Sequence, residues 1–300
     1  MSDHVLTLIA GPNDYTLAEK TVVSVRERLH ALGADVERAD WLAPGRACDI
    51  GFAHLHTDQA DAVARVVLEG APVDVIAQGQ TGRRKKLLLA DMESTLIHNE
   101  MLDELADFVG LREKIAGITA RAMNGELDFE GALEERVALL AGLGVDVLER
   151  AAERITLMPG ARALVQTMRR HGALTVLVSG GFTFYTARIR EALGLDRDHA
   201  NTLEIAEGKL TGRVMRPILG KQAKCDALVR ISSELGLPLA ETIAVGDGAN
   251  DLAMLQAAGL GIAFHAKPSV AAAAKWRIDQ GDLTTLLYAQ GYRSDEIMTL

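Results

Sequence analysis

A few acidic residues and one lysine, each set at the end of an apolar run or in a helical one, carry the chemistry open to this chain. Leu87-Leu88-Leu89-Ala90 runs straight into Asp91, with Glu93 two residues on. Such a run predicts a buried strand of a parallel sheet. Asp91 then stands at the strand's carboxyl end, where open α/β sheets place their ligands. Leu174 to Val178 predicts a second strand ending at Ser179-Gly180-Gly181, a hydroxyl and backbone N–H groups suited to phosphate oxygens. A helix predicted over Lys221 to Leu235 aims Lys224 at the same place as a point charge. Thr242 to Val245 predicts a further strand, ending at Gly246-Asp247-Gly248-Ala249-Asn250-Asp251. Asp91 and Asp247 from separate strand ends make a hard oxygen site that suits Mg²⁺. An aspartate nucleophile, a divalent cation, a lysine and a hydroxyl are the parts of phosphoryl transfer through an aspartyl phosphate, with Glu93 as proton shuttle. Singly, each has an ordinary reading as a turn or a solvated helix residue. Their joint placement after successive strands is what argues for chemistry.

The elements that must hold these residues follow from periodicity. Residues 4–80 predict a small βαββαβ unit in the ferredoxin-like order: strand Val5–Ala10, helix Thr16–Leu32, a hairpin of 34–41 and 48–56, helix Gln59–Leu68, and strand Val73–Ala77. The element order resembles ACT-type amino-acid-sensing domains, and an exposed sheet there invites pairing with a second copy, hence a homodimer. His54 and His56 alternate onto one strand face, which predicts a solvated face over a metal pair. Residues 81–86, with Arg83-Arg84-Lys85-Lys86, predict a linker with solvated charges. After the Asp91 strand come four helical patterns between about 100 and 157 and no strand, a helical cap inserted over the strand ends. The remainder of 87–300 alternates strand and helix, a doubly wound parallel sheet.

Composition bounds the partners. Apolar content of 48% and charged content of 24% are ordinary for a globular protein. A net charge of −9 and only 4% aromatic residues argue against nucleic-acid binding. Two cysteines without metal-ligand spacing predict a reducing, cytoplasmic setting. No run is long and apolar enough for a membrane span, and the start carries no basic leader. There is no GxxxxGKS/T, no HExxH, and Ser179 lies outside GxSxG.

Asp91-Met92-Glu93-Ser94-Thr95, Ser179-Gly180, Lys224 and Gly246-Asp247-Gly248-Ala249-Asn250-Asp251 resemble the four motifs of the haloacid dehalogenase (HAD) superfamily. Glu100, Met123, Phe129, Arg136 and the stretch His265-Ala266-Lys267-Pro268 extend the likeness to its phosphoserine phosphatases, over roughly 87–290. The resemblance implies a HAD-like fold and hydrolysis of L-phosphoserine with Mg²⁺. It implies Asp91 as nucleophile, and Asp91, Asp247 and the Glu93 carbonyl as metal ligands, with Asp251 supporting them. Ser179, Gly180, Lys224 and Asn250 would hold the phosphoryl group. Glu100 would meet the substrate ammonium, Arg136 its carboxylate, and Met123 and Phe129 would close the pocket. Glu93 departs from the superfamily's phosphatases, which usually carry Asp there. Two alternatives are a relative acting on another small phosphomonoester, such as phosphohomoserine, and a weakened serine-binding regulatory protein.

Overall fold

The computed structural model describes residues 2–11, 15–123 and 126–298. The amino-terminal unit runs β1 (His4–Ala10), α1 (Glu19–Ala31), β2 (Asp35–Val36), β3 (Asp40–Ala43), β4 (Ala47–Ala53), α2 (Thr57–Val67) and β5 (Val73–Gly79). The βαββαβ order is as predicted, with the second strand broken into β2 and β3. Pairing is antiparallel throughout, in the order β2-β4-β1-β5 with β3 also on β4. On one face Val22, Val25 and Leu29 of α1 and Ala60 and Ala64 of α2 pack on Leu6, Leu8, Ile50 and Phe52.

The other face corrects an expectation. Ile9, Leu42, Ala43, Ala47 and Ile76 are buried in the same core as Leu286, Ala289 and Tyr292, so this face of the sheet is covered from within its own chain and is not the exposed surface expected. The linker's charges are solvated only in part: Arg84 and Lys86 are exposed as predicted, while Arg83 and Lys85 are drawn inward. Arg83 makes a paired contact with Asp49, at 2.6 and 3.0 Å, and donates to Thr7 Oγ1 at 3.0 Å and the Ala289 carbonyl at 3.3 Å. Lys85 donates to the carbonyls of Gly82 and Ala240. Asp74 of β5 accepts from the backbone N–H groups of Asp279, Gln280 and Gly281. These charges bolt two units together. Nor do the two histidines share a strand face: β4 ends at Ala53, His54 takes a left-handed φ of 64° and pairs with Asp35, and His56 caps α2.

The rest of the chain opens on β6 (Leu87–Ala90) and continues through α3 (Met101–Phe108), α4 (Arg112–Met123), α5 (Phe129–Ala138), α6 (Asp146–Ala152) and α7 (Ala161–Arg170). Then come β7 (Leu174–Phe182), α8 (Thr183–Leu193), β8 (Arg197–Asn201), the hairpin β9 (Leu203–Ala206) and β10 (Lys209–Val214), and α9 (Ala223–Glu234). The last elements are β11 (Thr242–Gly246), α10 (Leu252–Ala257), β12 (Leu260–Phe264), α11 (Pro268–Ala273), β13 (Trp276–Ile278) and α12 (Thr285–Ala289). Six strands form one parallel sheet, ordered β13-β12-β11-β6-β7-β8. Leu88 and Ala90 face one apolar layer and Leu87 and Leu89 the other, which is why the run has no polar alternation. The chain leaves β6 toward β7 on one side and returns to β11 on the other. The crevice at that reversal is where such sheets bind ligands.

Helices α3 to α6 form the cap, as predicted. The hairpin β9–β10 completes it: Val145 N–H donates to the Gly208 carbonyl and Leu210 N–H to the Leu143 carbonyl. The cap therefore draws on two separate parts of the chain.

Truncating Arg83 to alanine would leave Asp49 buried and unpaired. Arg83→Ala should cost about 3–5 kcal/mol of stability, read as a lowered denaturant midpoint, and Arg83→Leu with Asp49→Leu should recover most of it.

Candidate active site

Asp91 follows β6 directly, and its N–H donates to the Val245 carbonyl, which continues the β6–β11 pairing one step past the strand. Asp247 follows β11 in the same way, so neighbouring parallel strands deliver the two carboxylates side by side. Asp251 sits at the head of α10, fully buried, and its Oδ2 accepts from Gly248 N–H at 2.9 Å. One oxygen of each of Asp91, Asp247 and Asp251 lies within 4.8 Å of the others.

Lys224, in the first turn of α9, reaches this cluster from the opposite wall. Its ammonium lies 2.7 Å from Asp91 Oδ1 and 2.6 Å from Asp251 Oδ1. Met92 N–H also donates to Asp91 Oδ1, at 2.8 Å. Burial pushes the Asp91 carboxyl up, and Lys224 opposes that. Burial, reinforced by Asp251, pushes Asp247 up to about 6. Desolvation works against the Lys224 ammonium, but the adjacent Asp91 and Asp251 outweigh it and hold it firmly charged. Three buried carboxylates against the one buried ammonium of Lys224, with Lys267 acting on Asp247 from the cavity wall, leave net negative charge at the cluster. A divalent cation on hard oxygen ligands fits that deficit.

Glu93 turns toward the cap. Its Oε1 accepts from Met101 N–H, the first residue of α3, at 2.8 Å. Its Oε2 lies over Gly181, where a Cβ would come within 3.2 Å of it. Burial, then the nearby Glu100, pushes the Glu93 carboxyl up to about 8, a shift toward its protonated form. Ser94, at a left-handed φ of 54°, donates to Glu100 Oε1 at 2.8 Å. Arg136 of α5 is half-buried and donates through Nε to the Ala132 carbonyl. Burial lowers its pKa, while Glu93, Asp103 and Glu100 favour its charge.

Most of these residues border one cavity of about 670 Å³ between sheet and cap. From the sheet side Asp91, Glu93, Gly180, Asp247 and Asn250 line it, and from the cap side Glu100, Phe129 and Arg136. Phe129 lies so close over Gly180 that a Cβ there would come 3.0 Å from its ring. Two predicted phosphate-holding residues stand behind the wall instead. Ser179 is buried, its Oγ accepting from Gly181 N–H at 2.9 Å, and Lys224 is buried between its two aspartates. Met123 ends α4, and its side chain lies outside the described residues. Sequence reasoning assigned no role to Asp103, Thr119, Lys221 and Lys267, which also line the cavity. The signal for Lys267 was present in the His265–Pro268 stretch: its N–H donates to the Asp247 carbonyl at 3.2 Å.

Comparison with known proteins agrees with this geometry. Residues 88–256 match the haloacid dehalogenase-like hydrolases as a family. A phosphoserine phosphatase of Streptomyces coelicolor is 40% identical over 98% of this chain and 72% of its own length. One of Saccharomyces cerevisiae is 38% identical over 99% of both chains. A solved HAD-family hydrolase of Salmonella enterica superposes with a TM-score of 0.83 at 28% identity, covering 95% of this chain and 97% of that one. A structure described as a phospho-aspartyl intermediate analogue of phosphoserine phosphatase superposes with a TM-score of 0.63 at 43% identity, over 68% of this chain and 98% of that one.

The charge deficit makes a stability prediction that needs no assay of turnover. A divalent ion at about a hundred times its dissociation constant should stabilise the fold by about 2.7 kcal/mol. A thermal-shift series with Mg²⁺ or Mn²⁺ against EDTA should show it, and Asp247→Asn should remove most of the shift.

Proposed function

The chain belongs to the haloacid dehalogenase-like hydrolase family, and from that premise we propose that it hydrolyses L-phosphoserine to L-serine and phosphate, the closing step of serine synthesis. The observation that carries the reading is the single cavity that sets Asp91 and Asp247 opposite Glu100 and Arg136. Phosphoserine is a dianion joined to an ammonium and a carboxylate. A strand-end cluster for the first, an acid for the second and a guanidinium fork for the third make a complementary set.

In this reading the Asp91 carboxylate attacks phosphorus and the bond to the serine oxygen breaks. Glu93, shifted toward its protonated form, gives its proton to that leaving oxygen. The resulting carboxylate takes a proton from water, which attacks the aspartyl phosphate and frees Asp91. Lys224 favours the ionised form of Asp91 and stands beside any phosphoryl group bonded there. Gly180 offers backbone, and the buried Ser179 hydroxyl orders the turn that presents it. Asn250 faces the cavity from the Asp247 loop. Asp91, Asp247 and the Glu93 carbonyl would hold Mg²⁺, with Asp251 fixing Lys224 and Gly248 behind them. When bound, Mg²⁺ neutralises charge on the phosphoryl oxygens. Phe129 and the cap exclude water from the closed site.

Phosphate release from L-phosphoserine should require Mg²⁺, stop with EDTA, and vanish in Asp91→Asn, whose amide cannot form the acyl phosphate. Arg136→Ala should weaken L-phosphoserine use by about 30- to 150-fold and spare an ester without a carboxylate. Release that survives both EDTA and Asp91→Asn would rule the reading out.

Glu93 makes its own prediction. Glu93→Gln should slow turnover by about 10²- to 10⁴-fold with divalent-ion binding kept, since only its side chain changes. Glu93→Asp should retain substantial activity, being one methylene shorter with the same chemistry. Steady-state kinetics on the three proteins decides: a Glu93→Gln variant as fast as the parent assigns the proton transfer elsewhere.

A further inference from the structure

The β7–β8 ladder is broken where the phosphate-facing loop lies. Val178 pairs with His199 and Phe182 with Asn201, so Ser179, Gly180 and Gly181 stand opposite the single residue Ala200. Such a bulge re-aims backbone groups out of the ladder and leaves them in need of other partners. The Gly180 carbonyl finds one in the side chain of Asn201, whose Nδ2 donates to it at 2.8 Å. The other end of the same amide is also used: Asn201 Oδ1 accepts from Leu219 N–H at 2.8 Å. Asn201 is 1% exposed. Leu219 lies in the segment that leads into α9, two residues before Lys221 on the cavity wall and five before Lys224. One buried amide thus clamps the Gly180 loop to the approach of the helix that carries Lys224.

We propose that Asn201 is a positioning residue for the phosphoryl subsite, acting through the Gly180 backbone and the α9 approach and touching no substrate itself. The inference rests on the reading of the cavity as a phosphomonoester site. Its substrate-independent content is that Asn201 serves the phosphate end and not the amino-acid end. A carboxylate in its place could still accept from Leu219 N–H but would have nothing to donate to Gly180. The bulge would then lose its anchor, and a shift of about 1 Å at such a loop costs on the order of 10²-fold in rate.

The test compares the full-length chain with Asn201→Asp, using L-phosphoserine, p-nitrophenyl phosphate and inhibition by orthophosphate. The expected result is a fall in kcat of about 30- to 100-fold on both esters and orthophosphate inhibition weakened by about tenfold, with the ratio between the esters unchanged. If Asn201→Asp does not fold, Asn201→Ser, small and neutral, carries the same comparison. A lower melting temperature with kcat and orthophosphate inhibition unaltered overturns the proposal, because the amide would then be structural only. So does a loss confined to L-phosphoserine, which would place the effect at the amino-acid end. A parent protein that cleaves p-nitrophenyl phosphate but not L-phosphoserine would refute the substrate reading alone, and the Asn201 comparison would stand on the other two measurements.

Discussion

Everything around the cavity answers to one electrostatic problem: three carboxylates and one ammonium brought together out of water. Lys224 bridges Asp91 and Asp251 at 2.7 and 2.6 Å, and Asp247 stands alongside. Removing charge from water is costly unless each group is paired and hydrogen-bonded. The fold supplies pairing piecemeal, from the N–H of Met92 to Asp91 and of Gly248 to Asp251. The remaining deficit is the site's affinity for a divalent cation. The same deficit requires a rigid frame, since carboxylates free to move apart would lose both the lysine and the ion. Neighbouring parallel strands, β6 and β11, give that frame with no side chain spent on it.

In the proposed reading the sheet serves the phosphoryl half of recognition and the cap the other half, and the two meet at glycines. Gly180 lets Phe129 descend onto the loop, and Gly181 leaves room for the Glu93 carboxyl. The cap itself is held by the hairpin β9–β10, which follows β8 in the chain, so one end of the Asn201 clamp also begins the return to the cap. The cap hairpin and the Gly180 loop are therefore mechanically close, since the hairpin lies within the stretch from Asn201 to Leu219 that the buried amide closes.

Much of this was legible from the residues, and the exceptions have physical causes. Strands buried on both faces, such as β6 and β11, announce themselves as apolar runs. The cap helices show through their periodicity. β8 does not, because Arg197-Asp198-His199-Ala200-Asn201 is a polar strand at the sheet edge, and its partner is interrupted by the bulge. β13 is three residues long and also an edge. That Asp91, Glu93 and Asp247 come together in one cavity was legible because acids at strand ends are a local pattern. Asn201 was not, since a buried amide serving two distant backbone groups leaves no spacing to read. Arg83 in the basic run misled for the same reason: only the fold shows Asp49 waiting for it. The covered face of the amino-terminal sheet likewise depends on residues some two hundred positions away, at Leu286 and Ala289.

The glutamate at 93 shows how a departure from a family pattern is absorbed. Relative to aspartate it carries its carboxyl about 1.5 Å further from the backbone. That reach is used: Oε1 meets the first N–H of α3, where a helix amino terminus favours an anion or an acceptor oxygen. Oε2 is left over Gly181, where only a residue without a Cβ leaves it room. The longer acid is therefore held through one oxygen by backbone of the cap, while the other lies in the space that Gly181 leaves. Its placement no longer depends on β6 alone, because a displacement of α3 relative to the sheet must move the carboxyl or break its bond to Met101. The Glu93 carboxyl and the cap helix over it are in this way one mechanical unit, and the acid is held in place only when the cap is.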